Sequence, residues 1–316
     1  MILIVSSPHD LHARVIADAL RRRGKAVAVL DMGNLAVSGS ISCPIGRAGV
    51  APRITAADGG MVDFGEVEAV WYRRFHEIAV PPEVDVADDR VFVRHEWQDV
   101  LNGIFFGLNC RSVNPLPGQI SATKPRQLEM ARRTGLRVPA TLITNDPDQV
   151  EVFIERHRGR VVHKAMSAPT SHFIDTRRWS DADRAALADL PLAPAIFQEE
   201  IAGPGDVRAT VVGEEVFAAR IDTAEGRAEL DSRLDLDAPC YPHSLPADTR
   251  ARLLRMMRAL GLCYGAVDLK ITERGEYVFF EVNPQGQFLY IEILTGMEIS
   301  SAMAGLLAGD QCSGHT

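Results

Sequence analysis

Residues 265–283 read GAVDLKITERGEYVFFEVN and carry the clearest structural pattern in the C-terminal part of the chain. Two runs of alternating character flank the Arg-Gly pair at 274–275, a pattern typical of a β-hairpin with a two-residue loop. The register set by this loop places Asp268 opposite Glu281, with Asn283 on the same face, because side chains alternate along a strand. The other face is apolar and comprises Val267, Leu269, Ile271, Val278, Phe280 and Val282.

The Asp268 and Glu281 carboxylates face each other across this predicted hairpin and therefore repel. A hard divalent cation fits two carboxylates and the amide oxygen of Asn283, because Mg²⁺ commonly takes one or two carboxylates and completes its shell with phosphate oxygens and water. Lys270, on the same face beside Asp268, offers the alternative of a simple ion-pair cluster. We favour a magnesium site over a solvated charged face.

Two lysines upstream of the hairpin are candidates to bind phosphate. The sequence contains neither a P-loop motif nor a G-x-G-x-x-G dinucleotide motif. Lys124 precedes Pro125, a favoured first helical position, so its ammonium lies at a helix N-terminus, where backbone N–H groups and the helix dipole favour an anion. Lys164 ends the apolar run at 161–164. Taken alone, each lysine is more often an ordinary exposed side chain.

A strand at 197–201, FQEEI, runs into the sharp bend AGPG at 202–205. Such a connection can present backbone N–H and C=O groups to the edge of an adenine ring, and an ordinary strand connection is the alternative. Asp206 and Arg208, in the D-V-R that follows, open the next strand.

The N-terminal part of the chain predicts a β-α-β unit and hence a parallel sheet. Apolar runs at 2–5 and 26–30 flank a helical pattern over 10–23. An extended pattern returns at 69–75 and a helical one at 88–108.

The best domain boundary is NPLPG at 114–118, because two prolines and a glycine continue neither a helix nor a central strand. The patterns that follow predict helices over 125–134, 147–157 and 247–260, and strands over 140–144, 160–164, 195–201, 206–212 and 216–222. The predicted domains are 1–113, 114–193 and 194–316.

The composition excludes several classes of protein. With 46% hydrophobic and 24% charged residues among 316, the chain buries a core and is long enough for two or three subdomains. A net charge of -8 disfavours binding to nucleic acid. No apolar run approaches the roughly 20 residues of a membrane-spanning helix, and the five scattered cysteines form no zinc or disulfide pattern. We therefore expect a cytoplasmic protein with no nucleic-acid or membrane partner.

The order of these features resembles that of the ATP-grasp superfamily, in particular its peptide-modifying branch. That order is Lys124, Lys164, QEEI at 198–201, D-V-R at 206–208, D-S-R at 231–233, Asp268 and EVN at 281–283. Three local sequences are similar to those of the microviridin-type or graspetide maturases: VWYRR at 70–74, PATLITN at 139–145 and EVNPQGQF at 281–288. The resemblance implies an α/β chain with the ATP-grasp fold behind an N-terminal parallel-sheet α/β domain, the pre-ATP-grasp domain.

By this resemblance, ATP and Mg²⁺ are the cofactors, and the site residues fall into groups. Lys124, Lys164 and Asp206 would bind the nucleotide with Gln198, Glu199, Glu200 and Ile201, which would read the adenine. Asp268, Glu281 and Asn283 would bind Mg²⁺. Arg208 and Arg233 would stabilise phosphate or an acyl-phosphate and position the substrate carboxylate, Asp231 is a candidate general base, and Arg73, Arg74 and Arg220 would bind the acidic substrate.

Two features of the sequence qualify this set. Arg73 and Arg74 are adjacent on a predicted strand, so they face opposite sides and at most one points into a given cleft. The stretch 165–172, AMSAPTSH, lacks the glycine-rich loop that covers the phosphates in many ATP-grasp ligases.

The resemblance implies an enzyme that phosphorylates a carboxylate and then joins it to a nucleophile within one acidic ribosomal precursor peptide, made of a leader and a core. The bond is an ester or amide between Asp or Glu and Ser, Thr or Lys side chains. An ATP-grasp ligase that joins a free amino acid or amine to a carboxylate is the alternative, and a nucleotide-binding scaffold without catalysis is the third. Relatives of this kind often form homodimers.

Overall fold

A parallel four-stranded sheet forms the N-terminal part of the protein, whose computed structural model describes residues 1–47, 49–56, 59–166, 176–222 and 238–310. The strands are β1 (Ile2–Val5), β2 (Val27–Leu30), β3 (Ser40–Ser42), β4 (Ile45–Gly46), β5 (Gly49–Val50), β6 (Arg53–Thr55), β7 (Met61–Asp63), β8 (Ala69–Tyr72) and β9 (Arg111–Val113). The helices are α1 (Leu11–Arg22), α2 (Leu35–Ser38) and α3 (Ala87–Gly107). The parallel sheet has the order β2-β1-β8-β9, which confirms the β-α-β prediction.

The second part of the chain is an antiparallel sheet with helices beside it. Its elements are α4 (Leu116–Ser121), α5 (Lys124–Arg133), β10 (Thr141–Thr144), α6 (Pro147–Arg156), β11 (Val161–Lys164), β12 (Arg177–Arg178), two 3-10 helices (Asp181–Ala188 and Leu190–Leu192) and β13 (Ala195–Glu199). The sheet order is β10-β13-β11-β12, so β13 lies inside this sheet. β13, which the prediction placed in the C-terminal subdomain, thus pairs with the earlier strands β10 and β11 and not with the strands that follow, while the boundary between residues 193 and 194 stays a prediction.

The third part is a larger antiparallel sheet covered by helices. It contains β14 (Gly205–Val212), β15 (Glu215–Ile221), β16 (Cys240–His243), α7 (Ala247–Leu260), β17 (Tyr264–Ile271), β18 (Tyr277–Asn283), α8 (Leu289–Thr295) and α9 (Ile299–Ala308). The strand order is β16-β15-β14-β17-β18. One face packs its apolar residues against α5 and α7, in a core that includes Val207, Val267, Leu253 and Met257.

The β17–β18 hairpin differs from its prediction in a way that matters for the site. Its loop has three residues, 273–275, because the Thr272 N–H donates to the Glu276 carbonyl at 2.9 Å and Gly275 adopts a φ of 76°. The register near the loop is thus shifted by one residue, and a β-bulge at Phe280 restores the predicted pairing of Asp268 with Glu281.

The changed register places three residues on faces of the hairpin opposite to those predicted: Val278, Phe279 and Phe280. Phe279 is fully buried in the core with α5 and α7, whereas Phe280, predicted to lie on the apolar face, lines a cleft on the other side. Val278 pairs with Lys270 and so shares the face of that lysine. The prediction of the apolar face was wrong at Val278 and Phe280, because the two-residue loop on which it depended does not form.

The N-terminal and C-terminal parts share one hydrophobic core. Ile16 and Leu20 of α1 pack in the same buried cluster as Met303 and Leu307 of α9. The sequence analysis made no prediction for α8 and α9, which bring the end of the described chain back onto the first sheet. The domain boundary between residues 113 and 114 stays a prediction.

None of the helices in the described ranges combines the length and apolar character that crossing a bilayer requires.

Candidate active site

A cleft with about 870 Å³ of empty space, part of it open to solvent, lies between the second and third sheets. Its walls bring together nine of the residues predicted from the sequence: Lys164, Gln198, Glu199, Glu200, Ile201, Asp206, Arg208, Asp268 and Glu281. They come from β11, from the end of β13, and from β14, β17 and β18, so segments far apart in the chain meet in one space.

Four charged residues form the floor of the cleft in an alternating pattern. In the β14–β17 register, Asp206 lies opposite Lys270, and Arg208 lies opposite Asp268. The Lys270 Nζ is 3.1 Å from Asp206 Oδ1, and the Arg208 Nη1 is 2.5 Å from Asp268 Oδ1. Because residues two apart on a strand share a face, both ion pairs point to the same side of the sheet.

Arg208 is held in place as a cation although it is 9% exposed. Burial by itself lowers the pKa of its guanidinium, and the facing Asp268 carboxylate outweighs this effect and raises the pKa above its ordinary value. The Nε atom of Arg208 is buried and has no hydrogen-bond partner within the described chain. A guanidinium with an unused donor at a cleft wall is suited to bind an oxyanion.

A close approach of backbone to Arg208 requires glycine at position 286. A Cβ there would overlap the Cβ of Ala266 and lie 3.3 Å from the Arg208 Nη2. Gly286 therefore allows the turn after β18 to pack against the floor of the cleft.

Each carboxylate of the Asp268–Glu281 pair has a cationic partner. The Lys124 Nζ lies 3.4 Å from Glu281 Oε2 and 3.4 Å from the Ala165 carbonyl, and Arg208 faces Asp268. Lys270, the partner weighed in the sequence analysis, instead pairs with Asp206. Lys124 and Arg208 thus compensate the charges of the two carboxylates. The repulsion between Asp268 and Glu281 therefore does not by itself require a metal ion.

The donor set still suits Mg²⁺. Asp268 and Glu281 are direct cross-strand neighbours, and Asn283 lies two residues further along β18. The Asn283 Oδ1 accepts a hydrogen bond from the Gln285 N–H at 2.9 Å, which orients its amide. All these donors are oxygens, as Mg²⁺ prefers. The set has two carboxylates, a number that Mg²⁺ commonly takes where phosphate oxygens and water complete its shell. Across the described ranges no cluster of three or more His, Cys, Asp or Glu residues forms a metal site.

The predicted adenine-reading segment lies at one end of the cleft. Gln198 is 2% exposed and its Nε2 donates to the Thr141 Oγ1 at 3.0 Å. The N–H groups of Glu199 and Glu200 donate to the carbonyls of residues 140 and 160 at 2.9 and 3.0 Å. These two donors are engaged within the protein, so backbone contacts to a base must come from other atoms of Gln198, Glu199, Glu200 and Ile201.

The predicted substrate-binding arginines lie outside the cleft walls. Arg73 is 1% exposed, and it contacts Asp10 Oδ2 at 3.5 Å and the Gln285 carbonyl. Its burial argues against a direct contact with a peptide. Arg74, with 46% of its side chain exposed, reaches the same Asp10 oxygen at 3.6 Å, since β8 ends at Tyr72 and strand alternation no longer applies.

Arg220, the third predicted substrate-binding arginine, also lies outside the cleft walls. It lies opposite Val207 in the β14–β15 register, so it shares the face that packs on α5 and α7 and not the face of Arg208. Its Nε is 2.7 Å from Asp222 Oδ1. Asp231 and Arg233 lie outside the described residues.

Sequence reasoning missed several residues of the cleft. Phe280 reaches it through the bulge, and Tyr290 reaches it from α8. Thr176 also lines the cleft. Lys270 also lines the cleft, and its alternation with Asp268 along the strand was the signal that could have identified it as a site residue.

The two antiparallel sheets that enclose a charged cleft, together with the parallel sheet in front of them, define an ATP-grasp protein. The family model of the RimK-like ATP-grasp domain matches residues 121–307, and that of the MvdD pre-ATP grasp domain matches residues 1–119. The chain therefore belongs to the RimK-like ATP-grasp family and carries an MvdD-type pre-ATP-grasp domain.

Solved structures resemble the chain over nearly its whole length. It is similar to the macrocyclase MdnC of Microcystis aeruginosa, bound with precursor peptide MdnA, with 27% identity, a TM-score of 0.86, and coverage of 98% of this chain and 99% of that one. It is also similar to a RiPP-associated ATP-grasp ligase of Chryseobacterium gregarium in complex with ADP and a leader and core peptide, with 25% identity, a TM-score of 0.89, and coverage of 98% and 96%.

Curated relatives match only part of the chain. A probable alpha-L-glutamate ligase of Pseudoalteromonas translucida is 30% identical over 186 residues, which are 57% of this chain and 61% of that protein. One from Marinobacter nauticus is 30% identical over 187 residues, again 57% and 61%. The chain thus spans less than two thirds of the length of these relatives.

Proposed function

We propose that the protein is an ATP-dependent, ADP-forming peptide macrocyclase. It activates an Asp or Glu side chain of a ribosomal precursor peptide and joins it to a Ser, Thr or Lys side chain of the same peptide. The observation that supports this most is the cleft that collects Lys164, Arg208, Asp268 and Glu281. The similarity to MdnC over both domains supports a peptide as the substrate.

The reaction follows from the charge pattern of the cleft. A carboxylate oxygen of the peptide attacks the γ-phosphorus of ATP, ADP leaves, and an acyl-phosphate forms. Lys124 and Lys164 bind phosphate oxygens, and the Arg208 guanidinium at the cleft wall stabilises the charge of the transferred phosphate. Mg²⁺, held by Asp268, Glu281 and Asn283, would neutralise the charge of the phosphates.

The second step closes the ring. A hydroxyl or amine of the same peptide attacks the acyl carbon, phosphate leaves, and the proton of the nucleophile passes to phosphate or solvent. The peptide loses one water for each ATP converted to ADP and phosphate. Positioning of the two groups carries most of this step, because an acyl-phosphate is already an activated acyl donor. Asp231 stays a candidate general base.

Peptide mass and nucleotide product, followed together, test this proposal. The protein with Mg-ATP and an acidic, Thr-rich peptide encoded beside its gene is expected to give products lighter by whole waters, together with ADP. Asp268→Asn and Glu281→Gln remove one carboxylate each with little change in shape and are expected to abolish both products. Asp248→Asn, at an exposed site on α7, is the matched control and is expected to leave both unchanged. An unaltered peptide mass in the presence of ADP formation would falsify the macrocyclase assignment.

A second candidate is an ATP-grasp ligase that joins a free amino acid or amine to a carboxylate. The similarity of 57% of the chain to probable alpha-L-glutamate ligases favours it. Such an enzyme gives a product heavier by one acceptor less one water, so the same mass spectra separate the two candidates. A nucleotide-binding scaffold is excluded if ADP formation depends on Asp268 and Glu281.

We also propose that the protein works as a homodimer in the cytoplasm. The need for ATP supports that location. Exposed apolar side chains along α3, Val91, Phe92 and Phe106, support a second copy as a partner. Sedimentation velocity is expected to give twice the chain mass, and a monomer at micromolar concentration would contradict the dimer.

A further inference from the structure

The turn formed by residues 284–290, which runs from the end of β18 into the first turn of α8, connects Asn283 to a residue of the cleft wall. Asn283, the predicted third magnesium ligand, ends β18, and Tyr290 lines the cleft from the first turn of α8. The position of this turn therefore sets the positions of both residues. Here it is called the 284–290 turn.

Residues far upstream in the chain hold the first half of this turn. The Asn114 Nδ2 donates to the Pro284 carbonyl at 3.0 Å. The buried Arg73 donates to the Gln285 carbonyl, and the Gln285 Nε2 donates to the Tyr72 carbonyl at 3.3 Å. Polar groups more than 160 residues away in sequence thus fix the exit from β18.

His12 holds the second half of the turn. Its Nε2 accepts hydrogen bonds from the N–H groups of Phe288 at 3.1 Å and Leu289 at 3.3 Å. Phe288 is the N-cap residue of α8 and has no side-chain oxygen with which to cap the helix. His12, on α1, supplies the missing acceptor from another domain.

The surroundings of His12 fix its orientation. The residue is 9% exposed, and its ring meets the Phe288 ring edge to face with centroids 4.9 Å apart. An imidazole that accepts at Nε2 carries its proton on Nδ1. The His12 Nδ1 lies 3.6 Å from Asp10 Oδ1, and Asp10 in turn faces Arg73.

We propose that His12 is a positioning residue for the ligation reaction: by capping α8 it places Tyr290 at the cleft and fixes the segment that follows Asn283. It touches neither nucleotide nor substrate and acts only through the 284–290 turn. Its effect on catalysis rests on the proposed function, whereas its effect on the turn does not.

Two amide substitutions at position 12 form a matched pair. In His12→Gln the side-chain amide reaches the position of Nε2, so an acceptor for Phe288 and Leu289 remains. In His12→Asn the amide reaches only the position of Nδ1, so the two N–H groups lose their acceptor while the contact toward Asp10 is kept. His12→Phe, which keeps a ring against Phe288, is a second loss variant and replaces His12→Asn if that protein does not fold.

Amide hydrogen exchange in the segment of the protein that contains the 284–290 turn measures directly whether the Phe288 and Leu289 N–H groups are hydrogen-bonded. Exchange at Phe288 and Leu289 is expected to be faster in His12→Asn and to return to the wild-type rate in His12→Gln. The kcat for ADP formation is expected to fall roughly 100-fold in His12→Asn, as displaced catalytic geometry commonly costs. The KM for ATP is expected to change little, because the adenine end lies on the second sheet.

The proposal is overturned if His12→Asn keeps wild-type exchange and kcat, or if His12→Gln is as impaired as His12→Asn. It is also overturned if only the KM for ATP changes. Failure of the proposed function is distinguishable: a wild-type protein that forms no cross-link rejects that function, while the exchange rates of Phe288 and Leu289 in the His12 variants still decide whether His12 holds the turn.

Discussion

Asp10 shows how one side chain can serve several elements at once. It accepts the Ala13 N–H at 3.1 Å as the N-cap of α1, and it faces His12, Arg73 and Arg74. Burial by itself raises the pKa of its carboxyl, and the contacts with His12, Arg73 and the Ala13 N–H outweigh burial and hold the pKa well below its ordinary value. The carboxylate therefore favours the folded state wherever it is ionised.

Asp10→Asn is expected to lower the free energy of unfolding at neutral pH by about 1–3 kcal/mol, because charged donors lose their partner. A depressed pKa in the folded state means that this contribution is complete above the unfolded pKa of about 4 and is lost as pH falls through the lower folded value. Urea unfolding of both proteins from neutral pH downward measures the difference, which should shrink only below about pH 4. Asp18→Asn, at an exposed site of α1, is the control. A difference that does not change with pH contradicts this role.

At the scale of elements, the β17–β18 hairpin shows what the sequence can and cannot predict. The predicted pairing of Asp268 with Glu281 is correct, although the two-residue loop from which it was predicted does not form, because the bulge at Phe280 offsets the one-residue shift of the three-residue loop. The loop was not predictable, since a glycine in the left-handed region fits both two-residue and three-residue hairpins. The Phe279 N–H donates to the Arg137 carbonyl, a contact between distant segments that helps to select the bulge and that no local pattern reveals.

Because of the bulge, substitutions of two adjacent phenylalanines are expected to affect different properties of the protein. Phe279→Ala removes a fully buried core side chain and is expected to lower the free energy of unfolding by about 3–5 kcal/mol. Phe280→Ala is expected to cost less stability and to raise the KM for ATP, because Phe280 lines the cleft. Chemical denaturation and steady-state kinetics of the two variants measure this contrast. The reverse ranking would indicate the regular register without the bulge.

At the scale of the whole molecule, the N-terminal and C-terminal parts complete each other. The cluster that contains Ile16, Leu20 and Trp71 also contains Met303 and Leu307. Sequence patterns predicted the strands and helices of each part, but the docking of α9 on α1 depends on contacts almost 300 residues apart in sequence, which a local pattern does not record. The His12–Phe288 contact could not be predicted for the same reason, because the two residues are 276 positions apart in sequence.

This shared core predicts that residues 1–113 do not fold alone. Without α9, the inward faces of α1 and β8 lose their apolar cover, and the fragment is expected to show poor dispersion of its amide NMR signals. The full chain is expected to unfold with the N-terminal and C-terminal parts coupled in one calorimetric transition. A fragment with the dispersed spectrum of the same residues in the full chain contradicts the shared core.

The amount of ADP formed per water lost from the peptide distinguishes a peptide macrocyclase from the other candidate enzymes. ADP and peptide mass are measured in one reaction of the protein with Mg-ATP and its acidic peptide. One ADP is expected for each water that the peptide loses, with no second molecule joined to the peptide. ADP formed without any change in peptide mass, or a peptide that gains the mass of an added amine, contradicts an enzyme that closes rings within a single chain.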